Sequence, residues 1–228
     1  MNAKNLRWLM IGYCALLLIV MVASSGQSMG MNATWYNGQY TYQAGSSPWM
    51  LGMAVAGAAL YFWLLSSKTT PSPNRMPLLF RRWVAGFIDF VWAFTIPAAF
   101  IGLLAVLLEY RRTGTFQWLV ERHNYQAGDG PVASASVLLT MFAIMPSYFA
   151  LCWRSGKPTP GSCICRFRIV ADVGTKLIFW KAGLRALLGS MALLAWPCWI
   201  LAYWVKRDQS AGKFWLDAIF DTHAEYIE

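Results

Sequence analysis

The sequence predicts an all-α membrane protein with five apolar helical segments and a small cytoplasmic β-hairpin between the fourth and the fifth. Hydrophobic residues make up 57% of the 228 residues and charged residues 13%, which is roughly half the charged fraction of a soluble domain. No Asp, Glu, Lys or Arg occurs from Trp8 to Ser67. Apolar runs long enough to cross a bilayer recur along the chain. This composition excludes a disordered chain and an ordinary soluble enzyme.

The first two apolar segments flank a neutral, aromatic stretch. They run from Trp8 to Ala23 and from Trp49 to Leu65. The first is interpreted as a membrane anchor, although its basic start and the small residues that follow it also fit a signal peptide. Residues 24–47 are rich in Gly, Ser, Asn, Tyr and Trp, a composition typical of a loop at the membrane interface.

The third and fourth apolar segments are separated by a charged loop. The third runs from Trp83 to Leu108 and the fourth from Ser134 to Trp153. In the loop, apolar residues and a histidine follow the i, i+3, i+4, i+7 spacing of a helix face, which predicts a short helix on the membrane surface. These residues are Phe116, Leu119, Val120 and His123.

The basic segment 154–185 precedes the fifth apolar segment, Ala186 to Val205. Side chains alternate in character from Cys163 to Val170, which predicts a strand. The turn-forming residues 171–174 then predict a return strand, and thus the hairpin.

The distribution of basic residues indicates the topology. The segments at the N-terminus, at 67–82 and at 154–185 hold 2, 4 and 7 Lys and Arg, whereas the alternate segments before the tail hold 0 and 3. The positive-inside rule therefore predicts a cytoplasmic N-terminus in a multi-pass protein. The net charge of +9 thus reflects membrane topology, and we expect no nucleic-acid partner. A straight fifth span would place the tail outside, and a break at Pro197 would return it.

Asp89 is the most informative ionisable residue, because it lies inside an apolar helix, where a charge costs from about 2.5 kcal/mol. Arg82 lies seven residues earlier on the same helical face, roughly 10 Å away along the axis. Two interpretations remain open: a fixed ion pair that sets helix packing, or a transport or proton-relay site.

Enzymatic and metal sites are not predicted. Cys163 and Cys165 form a C-x-C pair without a second pair to complete a zinc site. Motifs for nucleophilic catalysis, phosphate binding or dinucleotide binding are missing from the sequence. We therefore expect no catalytic residues, no metal and no cofactor.

Three sequence segments, in this order, resemble the RDD family of bacterial membrane proteins. They are RRWVAGFIDF at 81–90, GKPTPGSCICRFRIV at 156–170 and KRDQSAGKFWLDAIFDT at 206–222. The resemblance covers roughly residues 80–228, so residues 1–79 are interpreted as an added two-helix module. It implies an integral inner-membrane protein with a transport-related role.

The resemblance also implies individual site residues. The charged residues of the family match Arg82, Asp89 and Asp217. The loop motif of the family matches Thr159 and Gly161, with Ser162 where the family usually has Lys, and Thr222 matches the Thr after the last Asp.

Two functions follow as hypotheses. The first is an ion-coupled carrier that uses Asp89. The second is a non-enzymatic accessory or assembly subunit of a larger membrane complex. The expected partners are the lipid bilayer and other membrane subunits or further copies of the chain. We also predict that Arg82, Asp89 and Asp217 converge near the cytoplasmic face, with Arg82 bridging at least one carboxylate, because a buried charge without a partner is strongly unfavourable.

Overall fold

Three long helices form the first half of the chain in the computed structural model: α1 (Ala3–Ala23), α2 (Pro48–Ser66) and α3 (Leu79–Thr113). Each contains a stretch that is long and apolar enough to span a membrane, and each coincides with one of the first three predicted apolar segments. The structure describes residues 3–23, 30–36, 39–68, 71–72, 79–122, 143–172, 177–194 and 215–227.

The second half of the chain contains shorter helices. The described part of α4 covers residues 143–154, and α5 (Pro160–Ile164), α6 (Phe179–Leu194) and α7 (Trp215–Phe220) follow. The predicted fourth and fifth spans fall partly on residues 134–142 and 195–205, which lie outside the described residues, so those two spans stay predictions. Helix α6 begins well before Ala186, where the fifth span was predicted to start.

In the described part of the chain, six strands form two antiparallel sheets of three strands each. The strands are β1 (Gly30–Tyr36), β2 (Gln39–Gly45), β3 (Pro71–Ser72), β4 (Leu119–Arg122), β5 (Phe167–Ala171) and β6 (Thr222–Ile227). Their order is β1-β2-β4 in one sheet and β3-β6-β5 in the other. The fold is therefore helical with two small sheets, where the sequence predicted a single hairpin.

The sheet β1-β2-β4 corrects two predictions. The neutral segment 24–47, expected to be a loop, contains the paired strands β1 and β2. The segment 116–123, expected to be a surface helix, contains β4, which pairs with β2 through Val120 opposite Ala44. The helical spacing rests on only four residues. Pairing with the neighbouring strand β2 outweighs so short a pattern. The pairing of β2 with β4 brings the two segments together.

The sheet β3-β6-β5 corrects the predicted hairpin. Strand β5 starts at Phe167, because residues 160–164 form α5, so Cys163 and Cys165 do not lie on a strand. The partner of β5 is β6 at the end of the chain, with Ile169 opposite Ala224. The tail therefore returns to the segment that follows α5.

The chain divides into two compact units, each discontinuous in sequence. One comprises Met1–Gly12, Leu60–Ala93 and Met145–Glu228. It contains the sheet β3-β6-β5 and a buried core that includes Phe149, Trp153, Phe167 and Ile169. The sequence predicted a different kind of division, with an added two-helix module at residues 1–79 and a family module at residues 80–228. That division stays a prediction.

The other unit comprises Tyr13–Ala59 and Phe94–Ile144 and contains the sheet β1-β2-β4. Within it, the end of β2 lies against α3: the Ser46 hydroxyl donates to the Ala99 carbonyl over 3.3 Å. A Cβ on Gly102 would lie 2.3 Å from the Gly45 carbonyl oxygen, so glycine is required for this approach.

Candidate functional site

Asp89 accepts hydrogen bonds from three neutral donors. Its side chain is buried in α3, and the residue is 3% exposed. The Tyr148 hydroxyl donates to Oδ1 over 3.0 Å, the Gly161 backbone N–H to Oδ1 over 2.8 Å, and the Thr159 hydroxyl to Oδ2 over 2.5 Å. These bonds compensate for the removal of a carboxylate from water.

The local sequence explains why α5 begins next to Asp89. Thr159 is the N-cap residue: its side chain accepts from the Ser162 N–H, and Pro160 occupies the first turn, as is common at helix starts. Gly161 allows the close approach of the helix, because a Cβ there would lie 2.1 Å from the Ala85 carbonyl oxygen and 3.0 Å from Asp89 Cγ.

Two arginines share the carboxylate of Asp217. Arg82 Nη2 of α3 lies 2.6 Å from Asp217 Oδ2, and Arg185 Nη2 of α6 lies 2.6 Å from Asp217 Oδ1. The side chains of Arg82, Arg185 and Asp217 are 7%, 4% and 1% exposed, respectively. Charge-assisted hydrogen bonds of this kind are roughly twice as strong as neutral ones. The carboxylate of α7 therefore joins α3 and α6.

Thr222 and Trp153 hold Arg185 in position. The Arg185 Nε–H donates to Thr222 Oγ1 over 3.2 Å, and Thr222 is completely buried. The guanidinium Cζ lies 4.6 Å from the centroid of the Trp153 ring, a favourable cation–π geometry. Arg185 is therefore fixed by a carboxylate, a hydroxyl and an aromatic face.

A cavity of about 100 Å³ connects the two groups. Its lining includes the side chains of Arg82, Asp89 and Arg185, together with Thr159 and Ser162. The volume is sufficient for several water molecules. Two guanidiniums and two carboxylates therefore lie at or next to one internal space.

The structure brings the predicted charged residues to one place, in two groups. Arg82 forms an ion pair with Asp217, as predicted from the rule that buried charges are paired. Asp89 borders the same cavity as Arg82, while its own hydrogen bonds come from α4 and the start of α5. The separation of about 10 Å between positions 82 and 89 along one helix explains the division.

Two residues of the site were not predicted. Arg185 was assigned to the end of a basic segment, although it precedes the apolar run Ala186–Leu194 of the same helix; a lone arginine next to such a run is the pattern that indicates it. Tyr148 is one of ten tyrosines, and its spacing offers no comparable indication.

The cysteines belong to the structural surroundings of the site. Cys163 lies in α5 and Cys165 at its C-terminal cap. Burial raises the pKa of the Cys163 thiol to about 12 and that of Cys165 to about 11, so both are neutral thiols near pH 7. Within the described part of the chain, no group of three His, Cys, Asp or Glu side chains is arranged to hold a metal ion.

Comparison with known proteins gives one match. The model of the RDD family matches residues 76–195, which include Arg82, Asp89, Thr159 and Gly161 and end before Asp217. No curated protein and no solved structure matches the chain.

Proposed function

Because this chain belongs to the RDD family, and because it contains helices that can span a bilayer, we propose that it is an ion-coupled carrier of the bacterial inner membrane. In this proposal Asp89 binds the coupling proton or cation. The cavity next to Asp89 gives the ion a place to arrive and to leave.

The observation that carries the proposal is the set of partners around Asp89. The carboxylate is buried, and no Lys, Arg or His among the described residues donates a hydrogen bond to it. A buried carboxylate in an ion pair is fixed in its charged form. One held by neutral donors can gain or lose a proton without leaving an opposite charge unpaired. This is the behaviour that a coupling site requires.

The hydrogen bonds around Thr159 fit both charge states of Asp89. Thr159 Oγ1 lies 2.5 Å from Asp89 Oδ2 and 2.8 Å from Ser162 Oγ, and its single proton can go to only one of them. When Asp89 is ionised, Thr159 donates to it. When Asp89 is protonated, the acid donates to Thr159, Thr159 donates to Ser162, and Ser162 donates to the Thr159 carbonyl 3.0 Å away. Every group has a partner in either state.

The orientation is proposed from charge. With the N-terminus in the cytoplasm, the segments that contain Arg7, Arg81 and the stretch 154–172 face the cytoplasm, as the positive-inside rule requires. The alternate segments 24–47 and 109–133, with 0 and 3 basic residues, then face the periplasm by the same rule.

Flux measured in vesicles tests the carrier. Purified protein is reconstituted, a Na⁺ or K⁺ gradient is imposed, and proton movement is followed with a pH-sensitive dye. We expect cation-dependent proton flux that Asp89→Asn reduces at least tenfold while the melting temperature stays close to that of the wild type. Asp221→Asn is the matched control, because Asp221 is exposed and lies at φ 50°, a conformation that Asn tolerates.

Two variants of Thr159 separate a relay from a packing role. Thr159→Ser keeps the hydroxyl and should keep the flux, whereas Thr159→Val removes the hydroxyl and should lower it. If Asp89→Asn melts at a much lower temperature and retains its flux per folded molecule, Asp89 is a structural residue and the carrier proposal is wrong.

The accessory-subunit alternative is favoured by large exposed aromatic side chains. Trp8, Trp49 and Trp180 are 60%, 77% and 61% exposed, and such surfaces suit a membrane partner or a second copy as well as lipid. Purification in a mild detergent distinguishes the two functions. A stoichiometric partner together with a lack of flux favours the subunit, whereas a homogeneous particle with flux favours the carrier.

A further inference from the structure

Three arginines from different parts of the chain meet at the C-terminal end of α5. The Nε–H of Arg7, in α1, donates to the Ile164 carbonyl over 2.9 Å. Arg166 follows α5 directly, and its own carbonyl accepts from the Ile227 N–H over 3.1 Å. Arg81, in α3, places its guanidinium 5.8 Å from the ring centroid of Tyr226. The last strand therefore brings Arg81 next to Arg166.

These arginines carry the same charge and repel one another. Arg7, Arg81 and Arg166 surround the C-terminal end of one short helix, so their positive charges are gathered in one region. Among the described residues, none of the three forms an ion pair with a carboxylate. Three positive charges without a counter-charge among the described residues attract an anion.

The position of the three arginines indicates which anion. The apolar spans of α1 and α3 start at Asn5 and Phe80, so Arg7 and Arg81 lie in the first turns of two spans. Next to them, Trp8 and Phe80 are 60% and 71% exposed. Cationic groups at a span end, beside exposed apolar side chains, match a molecule that has an anionic head and hydrocarbon tails.

We propose that Arg7, Arg81 and Arg166 bind the phosphate of an anionic phospholipid headgroup, with its acyl chains along the apolar starts of α1 and α3. The site does not depend on ion transport by Asp89. A lipid bound there contacts the C-terminal end of α5, and the N-terminal end of the same helix contacts Asp89.

Native mass spectrometry of the full chain in detergent tests this site. Phosphatidylglycerol is titrated against the wild type and Arg166→Gln, with phosphatidylcholine as the neutral lipid. Each arginine near an anionic surface contributes on the order of a fivefold change in affinity, so we expect about fivefold weaker phosphatidylglycerol binding in Arg166→Gln. Arg166 is exposed and lies at φ 60°, a backbone strain that Gln shares, so the substitution adds none.

Two controls make the result specific. Arg166→Lys keeps the charge and should bind within about twofold of the wild type. Arg111→Gln removes an exposed charge in the last turn of α3 and should leave the affinity unchanged. Equal losses in Arg166→Gln and Arg111→Gln, or equal binding of both lipids by the wild type, would overturn the proposal. Displacement of the lipid by inorganic phosphate at equal concentration would assign the site to the free ion instead.

Discussion

Arg82 and Asp217 lie 135 residues apart in the sequence, and Arg82 Nη2 is 2.6 Å from Asp217 Oδ2. With Arg185 on the other carboxylate oxygen, this contact holds two helices to the last helix of the chain. The buried group carries two positive charges and one negative charge, so its stability depends on the carboxylate.

Asp217→Asn should lower the free energy of unfolding by about 3–5 kcal/mol, because it removes the carboxylate that two buried guanidiniums share. The melting temperature in detergent measures this loss. Glu225→Gln is the matched control: it breaks a partly exposed pair with Arg168 and should cost under about 1 kcal/mol. A similar melting temperature for both variants would contradict the structural role of Asp217.

Gly161→Ala should destabilise the protein by about 1–3 kcal/mol, because the new methyl group would overlap the Ala85 carbonyl oxygen and push α5 away from α3. Gly183→Ala is the control in α6. The nearest atom to its new Cβ is 3.7 Å away, and alanine favours a helix over glycine by roughly 0.5–1 kcal/mol. The two variants should therefore move the melting temperature in opposite directions. A stabilised Gly161→Ala would show that α5 is not in contact with α3.

Cys163 should resist alkylation by N-ethylmaleimide at pH 8 in the native protein. Its raised pKa of about 12 leaves roughly one thiol in ten thousand as the reactive thiolate at that pH. Because only the thiolate reacts, the rate of Cys163 alkylation should rise about tenfold for each pH unit below the pKa. Peptide mass spectrometry measures the labelling, and Ser155→Cys supplies an exposed reference thiol. Rapid labelling of Cys163 at pH 7 would disagree with its burial in α5.

Cysteines introduced at Gln39 and Gln117 test the orientation. Gln39 is the first residue of β2, and Gln117 lies two residues before the start of β4. A membrane-impermeant maleimide should label both from the periplasm in intact cells. Labelling of either position only after permeabilisation would reverse the proposed topology.

The long helices were predictable because their cause is local. Apolar side chains follow one another without interruption by charge from Trp8 to Ala23 and from Trp49 to Leu65, and helices α1 and α2 follow these limits closely. In a bilayer, a segment of this length must satisfy its own backbone hydrogen bonds, and the helix does so within the segment.

The hairpin β1-β2 was predictable and was missed. Tyr36 lies opposite Gln39, and the two residues between them in the sequence are Asn37 and Gly38. Asn-Gly between strand-forming residues is a strong short-range indication of a two-residue hairpin. The neutral aromatic composition of the segment instead favours a loop at the membrane interface.

The pairing of β5 with β6 could not be found from local pattern. Strand β5 carries a recognisable alternation of buried and less buried residues, but its partner lies beyond α6 and α7 in the sequence. Strand register between distant segments is decided by which buried faces match. The resemblance to a family indicated Asp217 and Thr222 as site residues, and the pairing explains how the tail brings them there.

The position of Asp217 after both of its arginine partners in the sequence also sets an order of events during synthesis. Arg82 is added 135 residues before Asp217 and Arg185 is added 32 residues before it, so neither arginine can meet the shared carboxylate until α7 has been made. A guanidinium in hydrocarbon is unfavourable, so both side chains are stabilised when α7 arrives. The site therefore closes only after α7 is made, and a chain that stops short of Asp217 lacks the carboxylate that joins α3 and α6.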